Sequence, residues 1–294
     1  MDGQKTTELR WHGRGGQGAV TSAEIIALAA IEEGKYAQAF PSFGPERRGA
    51  PVLAFNRIHD SAPIKIRSGV TNPDIVAVLD PGLLTIIDVM AGLKENGVLV
   101  INSPKSLSEL KKDYAGPWSL AAVDATKIAK KELGVPIVNT TMLGAVVKAL
   151  DGMIKLESIN GPIKERFGAR AQSNITAARE AYEQTQITPP VKTMPKRVEA
   201  HEVLPSWQEV LPGCVVTTPG NAKQYRTGDW RSRYPDFDYS RCIKCGLCYI
   251  FCPEGCIEQR PDGYFESNKY YCKGCGICAA ECPKKVISMI EEAL

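Results

Sequence analysis

From residue 8 to about residue 185, short apolar runs alternate with longer stretches whose apolar residues return at helical spacing. ELRWH (8–12) predicts a strand, and GAVTSAEIIALAAIEEG (18–34) predicts a helix that stops at Gly34. VLAFNRI (52–58), DIVAVLD (74–80), VLVIN (98–102) and SLAAVDA (119–125) predict four more strands. Pro81-Gly82 closes the third strand and opens a helix to about Gly92; further helical patterns cover roughly 125–134, 141–152, 155–168 and 174–185. Strands alternating with helices argue for an α/β class with a parallel sheet covered on both faces. The nearly unbroken apolar run DIVAVLD suits a central strand of such a sheet.

The pattern breaks near residue 186. From Thr188 to Tyr239 come Pro189, Pro190, Pro195, Pro205, Pro212, Pro219 and Pro235, with little periodicity between them. Such a tract buries too little surface to fold alone and reads as an extended linker. Trp207 and Trp230 within it predict docking points. The expected organisation is an α/β domain over 1–186, a linker over 187–238 and a small cysteine-rich domain over 239–294.

Composition sharpens the class. A net charge of +3 with no Lys/Arg block gives no reason to expect nucleic acid, and no apolar run is long enough for a membrane span. MDGQKTTELRW has no apolar signal-peptide core, so a cytoplasmic protein is expected. In that reducing compartment ten cysteines read as metal ligands rather than disulfides, and nine of the ten fall between 242 and 282.

CIKCGLCYIFCP (242–253) and CKGCGICAAECP (272–283) are two C-x2-C-x2-C-x3-C-P runs thirty residues apart. This is the spacing of bacterial two-cluster ferredoxins, in which the fourth cysteine of each run serves the other cluster. Cys242, Cys245, Cys248 and Cys282 are then ligands of one [4Fe–4S] cluster, and Cys252, Cys272, Cys275 and Cys278 of a second. Three close thiolates wrap one face of a cubane and a distant fourth closes it. Gly246, Gly274 and Gly276 let backbone amides approach the cluster sulfurs. The alternative, four-cysteine zinc binding, uses paired C-x2-C units and gives no reason for the x3-C-P extension. A domain of this size is too small to rest on apolar packing alone, so cluster binding and folding should be coupled. Residues 240–294 carry seven basic and seven acidic side chains, and two anionic cubanes would tip that balance acidic. Cys256 lies outside the repeat, with Lys285 near the equivalent place in the second half; it reads as a small buried residue rather than a ninth ligand. Cys214 says nothing further.

WHGRGGQGAV (11–20) contains a G-x-G-x-x-G spacing between a strand and a helix. Glycine-rich backbone at a helix N-terminus can offer amides to an anion. The acidic residue that should close the next strand to hold a ribose is missing, since Glu32 and Glu33 end the helix. The loop is therefore either a tight turn or a holder of a phosphate-bearing ligand or partner chain. FPSFGPERRGAP (40–51) is either a solvated turn or a rigid contact surface whose Arg47 or Arg48 could face a phosphate or carboxylate. VNTTMLGAVVKAL (138–150) predicts a helix capped by Thr140 or Thr141 and packed in the core. His12, His59 and His201 are scattered, and no hydrolase, Walker A or thiamine-diphosphate motif occurs, so no catalytic residue is assigned. The chain reads as one that passes electrons without generating them.

HGRGGQGAVTSAEIIA, YAQAFPSFGPERRGAPVLAF and the double cysteine run resemble the γ and δ subunits of 2-oxoacid:ferredoxin oxidoreductases, fused in one chain. The likeness covers roughly 8–185 for γ and 215–294 for δ, including TPGNAKQYRTGDWRSRYPDFDYSRC before the clusters. It implies a γ-type, parallel-sheet Rossmann-like domain followed by a small α+β bacterial-type 2[4Fe–4S] ferredoxin domain. It also implies separate α and β subunits holding thiamine diphosphate, Mg2+ and a further [4Fe–4S] cluster, assembled as a dimer of heteromers. Electrons would leave singly to an external ferredoxin, with coenzyme A usually taking the acyl group. The resemblance further implies that Gly13, Arg14, Gly15, Gly16, Gln17, Gly18, Glu46, Arg47 and Arg48 lie near coenzyme A or a subunit interface. Pyruvate is the leading substrate; oxalate, 2-oxoisovalerate, 2-oxoglutarate and indolepyruvate share the scaffold. A free-standing ferredoxin with an accessory domain is the reading of a different class.

Overall fold

The first strand, β1 (Thr7–Arg14), sends successive side chains to opposite faces, so Leu9 and Trp11 enter one core while Arg10, His12 and Arg14 face the other way. The computed structural model describes residues 6–42, 49–192, 206, 208–211, 213, 215 and 218–292. The chain divides into two units, 1–199 and 200–294.

In the first unit β1 leads through the glycine turn into α1 (Ala19–Glu32), which buries Ala23, Ile26 and Ala30. β2 (Tyr36–Ser42), β3 (Pro51–His59), β4 (Ile75–Val78), β5 (Val98–Asn102), β6 (Ser119–Val123) and β7 (Gln186–Thr188) complete a seven-stranded sheet in the order β2-β3-β1-β4-β5-β6-β7. Its centre, β1-β4-β5-β6, is parallel as expected. Both edges correct the expectation: β2 with β3, β3 with β1, and β6 with β7 run antiparallel. The residues between Ser42 and Pro51 are too few for a parallel crossover, which needs about a dozen or more.

Alternation along the central strands feeds two cores. Ile75, Ala77, Val100, Ala121 and Val123 pack into one, and Val76, Val78, Leu99, Ile101, Leu120 and Ala122 into the other. The first core is covered by α1, α3 (Ala125–Leu133), α4 (Asn139–Ala149), α5 (Asn160–Phe167) and α6 (Ala171–Gln184). The second has lighter cover, with Leu110 of α2 (Leu107–Tyr114), Trp118 and a 3-10 turn over Pro81–Thr85. That turn replaces the helix expected to Gly92; beyond it Arg10 donates to the carbonyls of Val89 (3.0 Å) and Ala91 (2.6 Å), holding the stretch before Gly92 against β1 as irregular backbone. The cap of α4 is also corrected. Val138 occupies the N-cap, and the Thr140 hydroxyl is engaged with Asn174 of α6 at 2.6 Å. Among the described residues no helix is long and apolar enough to cross a membrane.

The second unit is a thirty-residue repeat. β8 (Arg233–Phe237), α7 (Leu247–Ile250) and β9 (Ile257–Gln259) recur as β10 (Phe265–Ser267), α8 (Ile277–Ala280) and β11 (Ile287–Glu291). The repeats exchange strands, β8 pairing with β11 and β10 with β9, both antiparallel. Left-handed backbone recurs at matching places: Lys244 (φ 56°) with Gly274 (65°), Gly246 (74°) with Gly276 (83°), and Gly255 (57°) with Lys285 (50°). The linker expected to reach residue 238 therefore gives up 233–237, where Tyr234, Pro235 and Phe237 complete a strand pair with Ile290, Met289 and Ile287. Residues before it are already docked within this unit. The Gly228 amide donates to the Tyr270 carbonyl at 2.8 Å, and Lys273 sits 4.5 Å over the Trp230 ring. Trp207 and Cys214 lie outside the described residues.

Candidate metal centre

Each cysteine run begins on irregular backbone and ends on a single helical turn. Gly246 and Gly276, both left-handed, start α7 and α8, so the third cysteine of each run (Cys248, Cys278) rides the turn while the first two precede it. The amide of Gly274 reaches the Cys272 sulfur, that of Tyr249 reaches Cys248, and that of Ala279 reaches Cys278.

The eight repeat cysteines gather in two cavities. One is lined by Cys242, Cys245, Cys248 and Cys282, together with Phe237, Ile243, Leu247, Phe265 and Val286. The other is lined by Cys252, Cys272, Cys275 and Cys278, together with Pro235, Glu254, Lys273 and Cys256. About 420 and 330 Å3 of empty space lie within them, part of it open to solvent. Each cavity takes three thiols from one run and the fourth from the other, because the exchanged strands carry Cys282 and Cys252 across the repeat.

The donor set fits a cubane better than an ion. Among the described residues no group of three or more Cys, His, Asp or Glu could hold a single metal ion; the thiols instead line the walls of a larger space. Burial raises the thiols of Cys248 and Cys278, the latter to about 11. Iron binding would reverse that by deprotonating a coordinating thiol outright.

Cys256 stands 3.5 Å, sulfur to sulfur, from Cys252 and is 3 % exposed. Its thiol is pushed up by hydrogen bonds to Cys272 and Cys252 and by burial, while Cys272 is lowered chiefly by the bond Cys256 gives it. The repeat register corrects its partner in the second half. Gly255 matches Lys285, so Cys256 matches Val286 rather than Lys285.

The glycine loop is tied into its own domain. Arg14, 5 % exposed, donates through Nε to Asp80 at 3.0 Å, and Gln17 donates to the same carboxylate at 2.6 Å while accepting the Arg14 amide at 2.8 Å. Gly15 donates to Ala50 and accepts from Gly49. Gly13 faces Ala19 closely, Gly16 sits at the open apex, and a side chain on Gly18 would meet Asn139. Glu46, Arg47 and Arg48 lie outside the described residues. Sequence reading missed Asp80, whose signal was present: an acidic residue closing a central strand before Pro81-Gly82.

Residues 8–184 match the model of the family described as pyruvate ferredoxin/flavodoxin oxidoreductase. The chain belongs to that family. Residues 236–289 match a 4Fe–4S dicluster domain. The pyruvate/ketoisovalerate oxidoreductases common subunit gamma of Pyrococcus abyssi is 57 % identical over 182 residues, 61 % of this chain and 97 % of that protein. The pyruvate synthase subunit PorC of Methanothermobacter thermautotrophicus is 52 % identical over 180 residues, 61 % of this chain and 96 % of its own. The crystal structure of pyruvate oxidoreductase subunit PORC from Thermotoga maritima superposes with a TM-score of 0.55 at 41 % identity, covering 63 % of this chain and 99 % of that one. Nearly the whole of each relative is spent on the first unit, so the dicluster domain is an addition to a gamma-subunit domain. This oxidoreductase-family chain is thus a gamma subunit of a pyruvate/2-oxoacid ferredoxin oxidoreductase joined to a 4Fe–4S domain.

Proposed function

We propose that this chain is the electron-transfer subunit of a thiamine-diphosphate-dependent, coenzyme A-linked 2-oxoacid:ferredoxin oxidoreductase acting on pyruvate. Cys242, Cys245, Cys248 and Cys282 would hold one [4Fe–4S] cluster and Cys252, Cys272, Cys275 and Cys278 the other. The observation that carries this reading is the sorting of the eight thiols into two cavities, each with three from one run and one from the other. Bound there, the clusters supply low-potential one-electron carriers suited to a strongly reducing reaction. The protein holds them in apolar walls and directs backbone amides at their thiolates, the settings that tune such carriers. Thiamine diphosphate, Mg2+ and a further cluster belong to separate α and β subunits, and an external ferredoxin takes the electrons. The intracellular setting follows from the need to keep these thiolates reduced.

For the first domain the proposal is contact with partner subunits and with coenzyme A through Gly13–Gly18 and Glu46–Arg48. Arg14 and Gln17 already bind Asp80, so the side-chain charge of this loop is spent within its own domain. A shared subunit serving more than one 2-oxoacid is a second reading. It is favoured by a relative named as common to pyruvate and ketoisovalerate oxidoreductases.

Purification of the native complex tests the proposal. About eight irons on this chain are expected, with two partner subunits and activity on pyruvate that requires coenzyme A. Zinc, about four irons, or full activity of the chain alone would overturn it; activity on oxalate without coenzyme A would move the substrate assignment.

A further inference from the structure

The two cavities share one frame but not one lining. Where the first presents Val286, 5 % exposed, the second presents Cys256, 3 % exposed, at the same step after the C-P turn. Cys256 Sγ lies 3.5 Å from Cys252 Sγ. A thiol is a weak donor with one proton, and a thiolate bound to iron has none to give, so Cys256 is the donor and a ligand sulfur of the second cluster, Cys252 or Cys272, is the acceptor. Val286 offers the first cavity a hydrocarbon in that place.

Hydrogen bonds to cluster sulfurs stabilise the more negative, reduced state and raise the reduction potential. We propose that Cys256 is a positioning residue for electron transfer, giving the second cluster one S–H donor that the first lacks and so making the second the preferred resting place of a single electron. The proposal rests on the two-cluster reading above. Other wall differences point the same way: Glu254 and Lys273, paired at 2.7 Å, line the second cavity, and Ile243 and Phe265 line the first. No ligand exchange or covalent step is involved; Cys256 keeps its proton throughout.

The test is an EPR-monitored redox titration of the purified full chain, with iron counted beforehand. Cys256→Val copies the lining of the first cavity and is expected to keep eight irons while one midpoint moves to more negative potential. The expected shift is about tenfold in the one-electron equilibrium, which corresponds to about 59 mV. Cys256→Ser, which retains a donor, should hold most of the native midpoint. In the reciprocal Val286→Cys the other midpoint should rise. If Cys256→Val leaves both midpoints in place with eight irons bound, the proposal fails. It fails equally if Cys256→Ser falls as far as Cys256→Val, since volume and not the donor would then set the shift. A native chain without eight irons would instead overturn the two-cluster reading itself.

Discussion

His12 shows how a buried ring is held neutral at the end of a strand. Its Nε2 accepts from Arg10 Nε–H at 3.0 Å, so its proton sits on Nδ1, which has no partner among the described residues. Burial first, and the Arg10 charge second, drop its pKa to about 3. The unfolded chain binds a proton near 6.5 that the folded chain refuses, so this stability is full above about pH 6.5 and is lost as pH falls towards 3. The loss approaches about 5 kcal/mol at its limit, taking about 1.36 kcal/mol per pH unit. Denaturant unfolding from pH 7 to 4 should therefore show a steeper acid decline in the native chain than in His12→Gln. Two parallel curves would contradict it. Asp80 makes a second residue-scale case. Removing its carboxylate strands the buried Arg14 charge, and Asp80→Ala should cost about 3–5 kcal/mol in the same assay.

At the scale of elements, Gly144 decides how closely α4 and α6 pack. A side chain there would overlap the carbonyl of Ala178, a backbone atom that cannot rotate away. Gly144→Ala should destabilise the chain by about 3 kcal/mol, the upper end of ordinary overpacking, and calorimetry would read it as a lower melting temperature. The central strands were legible because both faces are apolar: Ile75–Val78 is buried throughout. β2 was not, because YAQAFPS mixes small residues with Pro41 and sits on an edge that needs only half its ladder. α2 is polar along most of its length, yet its capping box, Ser106 with Glu109, was written in the sequence. The helix expected before Gly92 gives way to irregular backbone that Arg10, 79 and 81 residues away in sequence, binds at Val89 and Ala91, a contact no local pattern carries. In the candidate site the cysteine spacing was fully legible, because the metal chemistry itself sets it. The role of Asp80 and the pairing of Cys256 with Val286 depended on tertiary contact and on backbone angles.

For the whole molecule, the second unit has a small apolar core of Ile257, Val286 and Ile287 wrapped around cysteines. Removing iron with a chelator should raise hydrogen exchange across residues 233–291 while leaving the protected sheet of the first unit unchanged. Equal loss in both units would contradict independent folding. On the proposed ligation, Cys282→Ser should spoil the cluster of the first run, and loss confined to the second would argue against crossed sets. The exchanged strands also have a consequence in time. A chain being synthesised exposes Cys242, Cys245 and Cys248 early, but the wall that closes their cavity, Cys282 to Ile287, arrives only after the second run has emerged. The other cavity likewise waits for Cys278. The pockets come to completion only nine residues apart, at Cys278 and Ile287, so a nascent chain offers iron no finished half-way house, and loading should occur as one late event.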